Sequence, residues 1–224
     1  MESFCSNIAP NFEFASDDLL NYLKSNEYLA QYQLNEHTAL SIFLPNTYQF
    51  FWNTSPKEYV ARMKREYDKF WTETRLQKAE SVGLSPTQVI VLASIVQAEQ
   101  MAHSSERPLI AGLYLNRLKI NMPLQSDPTL IYAIGDFSIK RLYNHHKEIA
   151  SPYNTYLNMG LPPGPILLPE ISSIEAVLNP TESNYLYMCA KEDFSGFHYF
   201  TDNLTQHMIY AKRYHNALNT LNIK

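Results

Sequence analysis

The 224-residue sequence has few cysteines, namely Cys5 and Cys189. Two thiols cannot build a disulfide framework or a four-cysteine zinc site. Because they could still form one bridge, cysteine usage leaves the cellular compartment open. No apolar run approaches the roughly 20 residues that a membrane-spanning helix needs, and the first residues lack the basic and apolar regions of a signal peptide. Taken alone, the sequence therefore predicts a soluble, cytoplasmic chain.

Positive charge is not in excess either. The formal net charge is -4 and the sequence pI is about 6.0, which argues against a nucleic-acid or anionic-lipid surface, because both need a basic face. Aromatic residues, in contrast, are abundant, with 16 Tyr, 11 Phe and 2 Trp. Aromatic faces line sugar-binding clefts but also fill ordinary cores, so composition leaves both interpretations open.

Sequence motifs of several enzyme classes are missing as well. The chain contains no HExxH, GxSxG, GxGxxG or GxxxxGK[ST] pattern. Its seven histidines are scattered, and the adjacent pair His145 and His146 is expected at the surface, because neighbours in regular structure cannot both face one site. The sequence therefore predicts neither a metal site nor a cofactor.

Two helix starts give the clearest local signals. The stretches SPKE from Ser55 and SPTQ from Ser85 each combine an N-cap serine, a proline at the first helical position and a Glu or Gln that closes a capping box. The first helix is predicted to end near Ser81, and the second carries the apolar run 89–96. Further helices are predicted at 17–28, 106–119, 129–134, 170–178 and 202–221, residues 41–52 are predicted to be extended, and a strand hairpin is predicted at 185–190 and 197–201. This mixture predicts an α+β fold in one large domain, or one domain plus a small one.

An acid, Glu99, stands near the end of the apolar helix. At about 3.6 residues per turn, Glu99 lies below Ile95 and Val96, so its own helix face is apolar. Burial and the negative end of the helix dipole both raise a carboxyl pKa, which favours the protonated form that a general acid needs. The alternative is a helix end that turns Glu99 into water, and charged residues are mostly exposed.

A proline-rich segment at 125–164 is the second signal, because it combines stiff loops with polar and aromatic side chains. Prolines reduce the conformational entropy of a loop, so its polar groups are held in place before a ligand binds. Amides, hydroxyls and aromatic faces together suit a neutral polyhydroxyl ligand. The alternative is a well-ordered loop with ordinary Asx turns.

Several motifs in one order carry a family resemblance: LASIVQAEQ, ERPLIAGLYLNRL, MPLQSDPTLIYAIG, SPYNTYLNMGLPPGPI, AVLNPTESNYLYMCA and GFHYFTDNLTQH. With them, residues 43–217 resemble the endolytic murein transglycosylase family, the MltG/YceG-like proteins. The resemblance implies internal, lytic cleavage of peptidoglycan glycan strands between N-acetylmuramic acid and N-acetylglucosamine, leaving 1,6-anhydro-muramyl ends. It implies an N-terminal anchor in the bacterial cytoplasmic membrane, a catalytic domain on the cell-wall side, and the cell-wall synthesis machinery as a candidate partner.

The resemblance also assigns the catalytic residue and a domain plan. The family's catalytic acid is the second acid of an ASIVEKE-type motif, which is Glu99 here, whereas the first acid is Gln97. Gln97 points about 200° away on a helix, so this departure should not matter to the chemistry. Because the family's membrane helix is missing, we expect a truncated or processed chain, with residues 1–44 as a partial LysM-like module and 45–224 as the catalytic domain.

A lytic reaction explains why one acid has no partner, because the substrate's own C6 hydroxyl replaces the water that a hydrolase activates with a second carboxylate. One alternative is a non-catalytic wall-binding or scaffold protein on the same fold. Another is a pyridoxal-phosphate lyase, since relatives have carried the label aminodeoxychorismate lyase. We expect an open groove with Glu99 at its floor, lined by Gln125, Asp127, Tyr153, Asn154, Thr155 and Tyr156, with His198 and His207 joining from the hairpin and the last helix.

Overall fold

A computed structural model describes residues 1–139 and 141–221 of the chain. Within these residues ten α-helices, three short 3-10 helices and one two-stranded antiparallel sheet form the regular structure, which confirms the predicted α+β class. The helices are α1 (Glu2–Ile8), α2 (Ser16–Lys24), α3 (Asn26–Gln31), α4 (Pro56–Phe70), α5 (Glu73–Ser81), α6 (Pro86–Glu99), α7 (Arg107–Lys119), α8 (Asp127–Ile134), α9 (Ile171–Leu178) and α10 (Leu204–Thr220). The strands are β1 (Tyr187–Ala190) and β2 (His198–Thr201), paired with Tyr187 opposite Thr201.

The N-terminal segment is more helical than predicted. The helix expected at 17–28 is divided at Ser25, whose backbone is extended and whose hydroxyl accepts the Tyr28 amide at 3.1 Å. Serine makes such local bonds in preference to continuing a helix, so α3 begins anew after it. Helix α1 was not predicted, because its seven residues bury only Cys5 and carry little periodic signal.

The capping box at Ser55 and Glu58 forms as predicted, but the following helix is not continuous. It stops at Phe70, and Thr72 adopts an extended backbone that starts α5. Phe70 and Trp71 at the break are both buried in the apolar cluster around α6. Arg75 then binds the freed Phe70 carbonyl at 2.8 Å and stabilises the break.

Helix α6 is the centre of the larger apolar cluster. Its residues 89–97 are buried on every side by α5, α7, α8 and α9, which explains the continuous apolar run. No single described helix is long and apolar enough to cross a membrane, and α5 with α6 satisfy length and composition only as a pair bent by 72°. The helix ends at Glu99, so its core packing fixes where that carboxyl lies.

A second apolar cluster joins residues 1–44 to α4. Cys5, Leu19 and Leu23 pack in it together with Tyr59 and Val60 of α4. The N-terminal segment therefore shares its core with a helix that lies beyond residue 44.

We expect a fragment of residues 45–224 to unfold at a lower temperature than the whole chain. Tyr59, Val60 and Met63 are each under 5% exposed, and uncovering a buried apolar side chain costs about 1.5–3 kcal/mol. Thermal unfolding followed by circular dichroism measures the difference. A fragment as stable as the whole chain would mean that residues 1–44 do not complete the core.

The hairpin and the last helix form the opposite wall of the molecule. Helix α10 packs against both strands, and Asn203 caps it by accepting the Gln206 amide at 3.0 Å. Cys189 on β1 and Cys5 are both free thiols. Strand β1 and helix α10 thus face the C-terminal end of α6 across a cleft.

Candidate active site

A cleft with a volume of about 530 Å³ opens at the end of α6. Helix α7 and the loops around 124–127 and 142–156 form one side, and the hairpin with α10 forms the other. Its polar lining includes Glu99, Tyr114, Arg117, Gln125, Asp127, Asn144, Lys147, Tyr156, His198, His207, Tyr214 and His215. Six residues predicted for one groove therefore meet here, namely Glu99, Gln125, Asp127, Tyr156, His198 and His207.

The Glu99 carboxyl is held by two hydroxyl groups from other elements. Tyr114 on α7 and Ser126 before α8 each donate to Oε1 at 2.6 Å. Both donors are almost completely buried, whereas Glu99 itself is half-buried. Because both bonds use Oε1, Oε2 is the oxygen that has no hydrogen-bond partner among the described residues and can meet a ligand.

Burial raises the pKa of Glu99 above its ordinary value, as expected for a carboxyl group at the end of an apolar helix. The hydrogen bonds from Ser126 and Tyr114 oppose this effect, and the nearby Asp127 charge adds to it. The pKa of Tyr114 is also raised, first by burial and then by Glu99, so its hydroxyl stays a proton donor. The site therefore favours a protonated Glu99 that one oxygen can present to the cleft.

The loop that supplies Ser126 is fixed by Thr155. The Gln125 amide donates to the Thr155 carbonyl and the Ser126 amide to the Thr155 hydroxyl, both at 3.0 Å. Thr129 completes the link with a hydroxyl contact of 2.8 Å to Thr155. Gln125 adopts a left-handed backbone with φ of 48°, a conformation that costs free energy for a residue other than glycine and is often found at binding sites.

A second polar group lies beside the acid. The Tyr156 hydroxyl donates to Asp127, the first residue of α8, and the Lys147 ammonium lies 4.8 Å from the centre of the Tyr156 ring. Burial, followed by the Asp127 charge, raises the pKa of Tyr156 well above its usual range. This group places a carboxylate, a phenol and a cation on one side of the cleft.

Three of the predicted lining residues, Tyr153, Asn154 and Thr155, lie behind the cleft. The prediction that these three line the groove is wrong. Asn154 is fully buried and donates to the carbonyls of Lys147 and Ile149, both at 2.9 Å. Thr155 is 1% exposed, and its hydroxyl accepts the Ser126 backbone amide. Tyr153 packs on Tyr132 and lines a separate pocket toward the N-terminal segment.

We expect Asn154→Ala to lower the stability of the chain and to loosen the loop beside the cleft. The change leaves two backbone carbonyls and the Tyr156 amide without their partner, and each unsatisfied buried group costs about 1–3 kcal/mol. Thermal unfolding measures the loss of stability. Asn158→Ala is the matched control, because Asn158 also binds two carbonyls but is exposed. Equal effects of the two changes would contradict a positioning role for Asn154.

The two predicted histidines enter the cleft in different ways. His198 is anchored on a buried carboxylate, Glu106, at 2.9 Å. His207 stacks on Tyr187 with ring centres 5.4 Å apart, and burial and then Arg117 lower its pKa, so it is neutral near pH 7. Both histidines belong to the hairpin and α10 wall that faces Glu99.

The residues that hold the cleft together were not predicted from the sequence. Tyr114 and Arg117 lie on α7. Nothing in the sequence around them distinguishes them from ordinary helix residues. The buried Arg117 guanidinium binds the carbonyls of Leu186 and Leu124 at 2.6 and 2.7 Å. Ser126 stood within the QSDP stretch that signalled the loop, so it was the one partner of Glu99 that the sequence could have suggested.

The departure at Gln97 has a structural explanation. Gln97 lies on the side of α6 away from the cleft. Its side-chain oxygen Oε1 accepts the Glu170 backbone amide at 2.7 Å and the Ser173 hydroxyl at 3.0 Å. It thereby fixes the start of α9. A carboxylate could accept the same two bonds, which is why either side chain fits this position.

The described residues contain no group of three or more His, Cys, Asp or Glu side chains able to hold a metal ion. Fold and site together define a class of α+β protein in which a central buried helix delivers one raised-pKa acid to an open, polar and aromatic cleft. The chain belongs to the YceG-like family, whose profile matches residues 7–213.

Relatives in this family carry a common name. A protein of Bacillus subtilis named endolytic murein transglycosylase is 35% identical over 184 residues, and one of Streptococcus pneumoniae with the same name is 32% identical over 193. These alignments cover 82% and 84% of this chain but only 50% and 34% of the relatives, so the chain spans half or less of their length. The crystal structure of a yceG-like protein from Listeria monocytogenes matches with a TM-score of 0.78 and 30% identity, over 93% of this chain and 72% of that one.

Proposed function

We propose that this chain is the catalytic part of an endolytic peptidoglycan lytic transglycosylase, with Glu99 as general acid and then general base. The observation that carries the proposal is the half-buried Glu99 carboxyl, bound through one oxygen by Tyr114 and Ser126 at the wall of the cleft. The names of the two relatives support the substrate class, since both are called murein transglycosylases.

The reaction follows from one acid and a substrate hydroxyl. Protonated Glu99 gives its proton to the glycosidic oxygen between the muramyl C1 and the glucosamine, and that bond breaks with its electron pair on the oxygen. The Glu99 carboxylate then takes the proton of the muramyl C6 hydroxyl, whose oxygen forms the new bond to C1. No water is consumed, and Glu99 ends protonated as it began.

The remaining contacts suit both halves of this cycle. The hydroxyls of Tyr114 and Ser126 donate to Oε1 and so stabilise the carboxylate that forms after the first proton transfer. Burial opposes that charge and returns the proton to Glu99 in the second step. The residues proposed to contact the glycan are Gln125, Asp127, Tyr156, His198 and His207. Asn154 and Thr155 instead hold the loops in place.

Asp127 supports one alternative reaction. It lies in the same cleft as Glu99 and its charge raises the Glu99 pKa, so the two could work as the acid and base of a hydrolase. Against this, Asp127 already accepts the Tyr156 hydroxyl. The lytic and hydrolytic reactions differ in whether water enters the product.

Localisation and domain plan rest on the resemblance. The whole protein is proposed to act on the cell-wall side of the bacterial cytoplasmic membrane, with cell-wall synthesis enzymes as partners, and fractionation of the full-length protein tests this. The LysM-like assignment of residues 1–44 stays a prediction, and these residues form three helices packed on α4.

Digestion of purified peptidoglycan tests the proposed activity. We expect the chain to release soluble muropeptides, with long glycan fragments first, because internal cuts shorten strands before they yield disaccharides. Heat-denatured protein is the control. Binding of peptidoglycan without any release would instead support a non-catalytic wall-binding protein, and visible absorption from a bound pyridoxal group would support the lyase.

A further inference from the structure

A buried carboxylate, Glu106, lies behind the cleft and plays no part in the reaction described above. It precedes α7 and is 8% exposed. Its Oε1 accepts the backbone amide of His198 at 2.9 Å, and its Oε2 accepts the Gln100 side-chain amide at 2.7 Å and faces the His198 Nδ1 at 2.9 Å. Buried carboxylates are costly unless they are satisfied in this way, so the arrangement calls for a function.

The direction of each hydrogen bond can be assigned. Gln100 Oε1 accepts the backbone amide of His103 at 2.9 Å, and Nε2 also donates to the Gly196 carbonyl at 2.8 Å. The Gln100 amide group therefore cannot be reversed, and it must donate to Glu106. With the His198 backbone amide as a further donor, Glu106 is an acceptor on both oxygens.

The ionisation of Glu106 agrees with this assignment. Burial alone raises its pKa, but the hydrogen bonds from the His198 backbone, the His198 ring and Gln100 outweigh burial, and the pKa of Glu106 is lowered. An ionised carboxylate can only accept. The ring nitrogen that faces it, Nδ1, must therefore carry the hydrogen.

A neutral imidazole with its hydrogen on Nδ1 has a free lone pair on Nε2. Nε2 is the ring nitrogen remote from Glu106, and the His198 side chain lines the cleft with Glu99. The nearby hydroxyls of Tyr114 and Ser126 are already used by Glu99. Nε2 of His198 is therefore a fixed hydrogen-bond acceptor in the cleft, and a hydroxyl group of a ligand can donate to it.

We propose that Glu106 is a positioning residue that fixes His198 in the Nδ1–H tautomer, so that Nε2 accepts a hydrogen bond from a sugar hydroxyl bound beside Glu99. The identity of the ligand rests on the proposed function, whereas the tautomer rests on the geometry alone. Gln100 adjoins Glu99 in sequence and binds the hairpin at Gly196. The end of α6 therefore sets the acid and the acceptor together.

Nitrogen-15 spectra of histidine-labelled protein test the tautomer directly. We expect the neutral His198 ring to show a protonated Nδ1 and an unprotonated Nε2. Glu106→Gln should weaken this preference and admit the Nε2–H form, because an amide cannot accept at both positions as the carboxylate does. Glu170→Gln is the control, since Glu170 pairs with Arg107 instead and should leave the His198 signals unchanged. An Nε2–H form in the unmodified chain would overturn the proposal.

His198→Asn separates positioning of the ligand from support of the hairpin. The asparagine amide can replace Nδ1 and keep the bond to Glu106, but nothing replaces Nε2 in the cleft. We expect near-normal thermal stability and about three- to tenfold slower muropeptide release, the effect of one hydrogen bond. Release within twofold of the unmodified chain would overturn the role toward substrate. An unmodified chain that cleaves no glycan would contradict the proposed function, while the spectra would still decide the tautomer.

Discussion

Replacing Glu99 with glutamine is expected to reduce muropeptide release by about 10²–10⁴-fold, the usual contribution of a general acid. Glutamine keeps the shape of the side chain and can still accept the hydroxyls of Tyr114 and Ser126 through Oε1. It has no proton to give to the glycosidic oxygen and cannot take one back. The initial rate of release from purified peptidoglycan measures the loss.

Gln97→Glu is the matched control for this change. It also exchanges an amide and a carboxyl group on α6, but on the side that binds Glu170 and Ser173. Its release rate should stay close to that of the unmodified chain. Normal release by Glu99→Gln, or an equal loss in both variants, would contradict the assignment of Glu99.

Glu99→Gln should also be more stable than the unmodified chain, by an amount that depends on the pH. Because burial raises the Glu99 pKa in the folded state above the ordinary value of 4.5, the folded chain binds this proton more tightly than the unfolded chain. The unmodified protein therefore loses stability as the pH rises from about 4.5 through the raised pKa. Glu99→Gln lacks that loss, so its melting temperature should exceed that of the unmodified chain at neutral pH and match it in acid.

Arg117→Met should have the largest effect on stability, about 3 kcal/mol or more. The change removes the donor that satisfies the carbonyls of Leu186, Pro123 and Leu124, and each buried group left unpaired costs about 1–3 kcal/mol. For a chain of this length the melting temperature should fall by about 6–12 °C. Calorimetry or circular dichroism measures this shift.

Activity should fall together with stability in Arg117→Met, because Arg117 joins the loop before Ser126 to the start of the hairpin. Arg62→Met is the control, since Arg62 makes a partly exposed pair with Glu66 on α4, which contributes at most about 1 kcal/mol. A melting temperature for Arg117→Met equal to that of Arg62→Met would contradict the role of Arg117 as the link.

Local signals explain the parts of the fold that could be predicted. The caps at Ser55 and Ser85 satisfy amides within their own turns, and the hairpin follows from two short apolar runs. The break at Trp71 and Thr72 could not be predicted, because it depends on the burial of Phe70 and Trp71 against distant helices. Its cause is tertiary packing, which no local window contains.

The residues of the site likewise divide into those that the sequence could predict and those that it could not. Glu99 and the loop of Gln125 and Asp127 were suggested by residue type and family motif. Asn154 was placed in the groove because a polar side chain gives the same signal whether it faces a ligand or buried carbonyls. Tyr114 and Glu106 could not be found, because their partners lie on other elements and only the folded chain brings them together.

The mass of the released fragments tests the central claim most directly. If Glu99 acts alone with the substrate's C6 hydroxyl, the muramyl ends formed by digestion should be 1,6-anhydro ends, one water lighter than hydrolytic products. Digestion in ¹⁸O-labelled water should leave these ends unlabelled, because no water enters the bond. Fragments with reducing muramyl ends that carry the label would contradict the single-acid account and would indicate that Asp127 activates a water molecule.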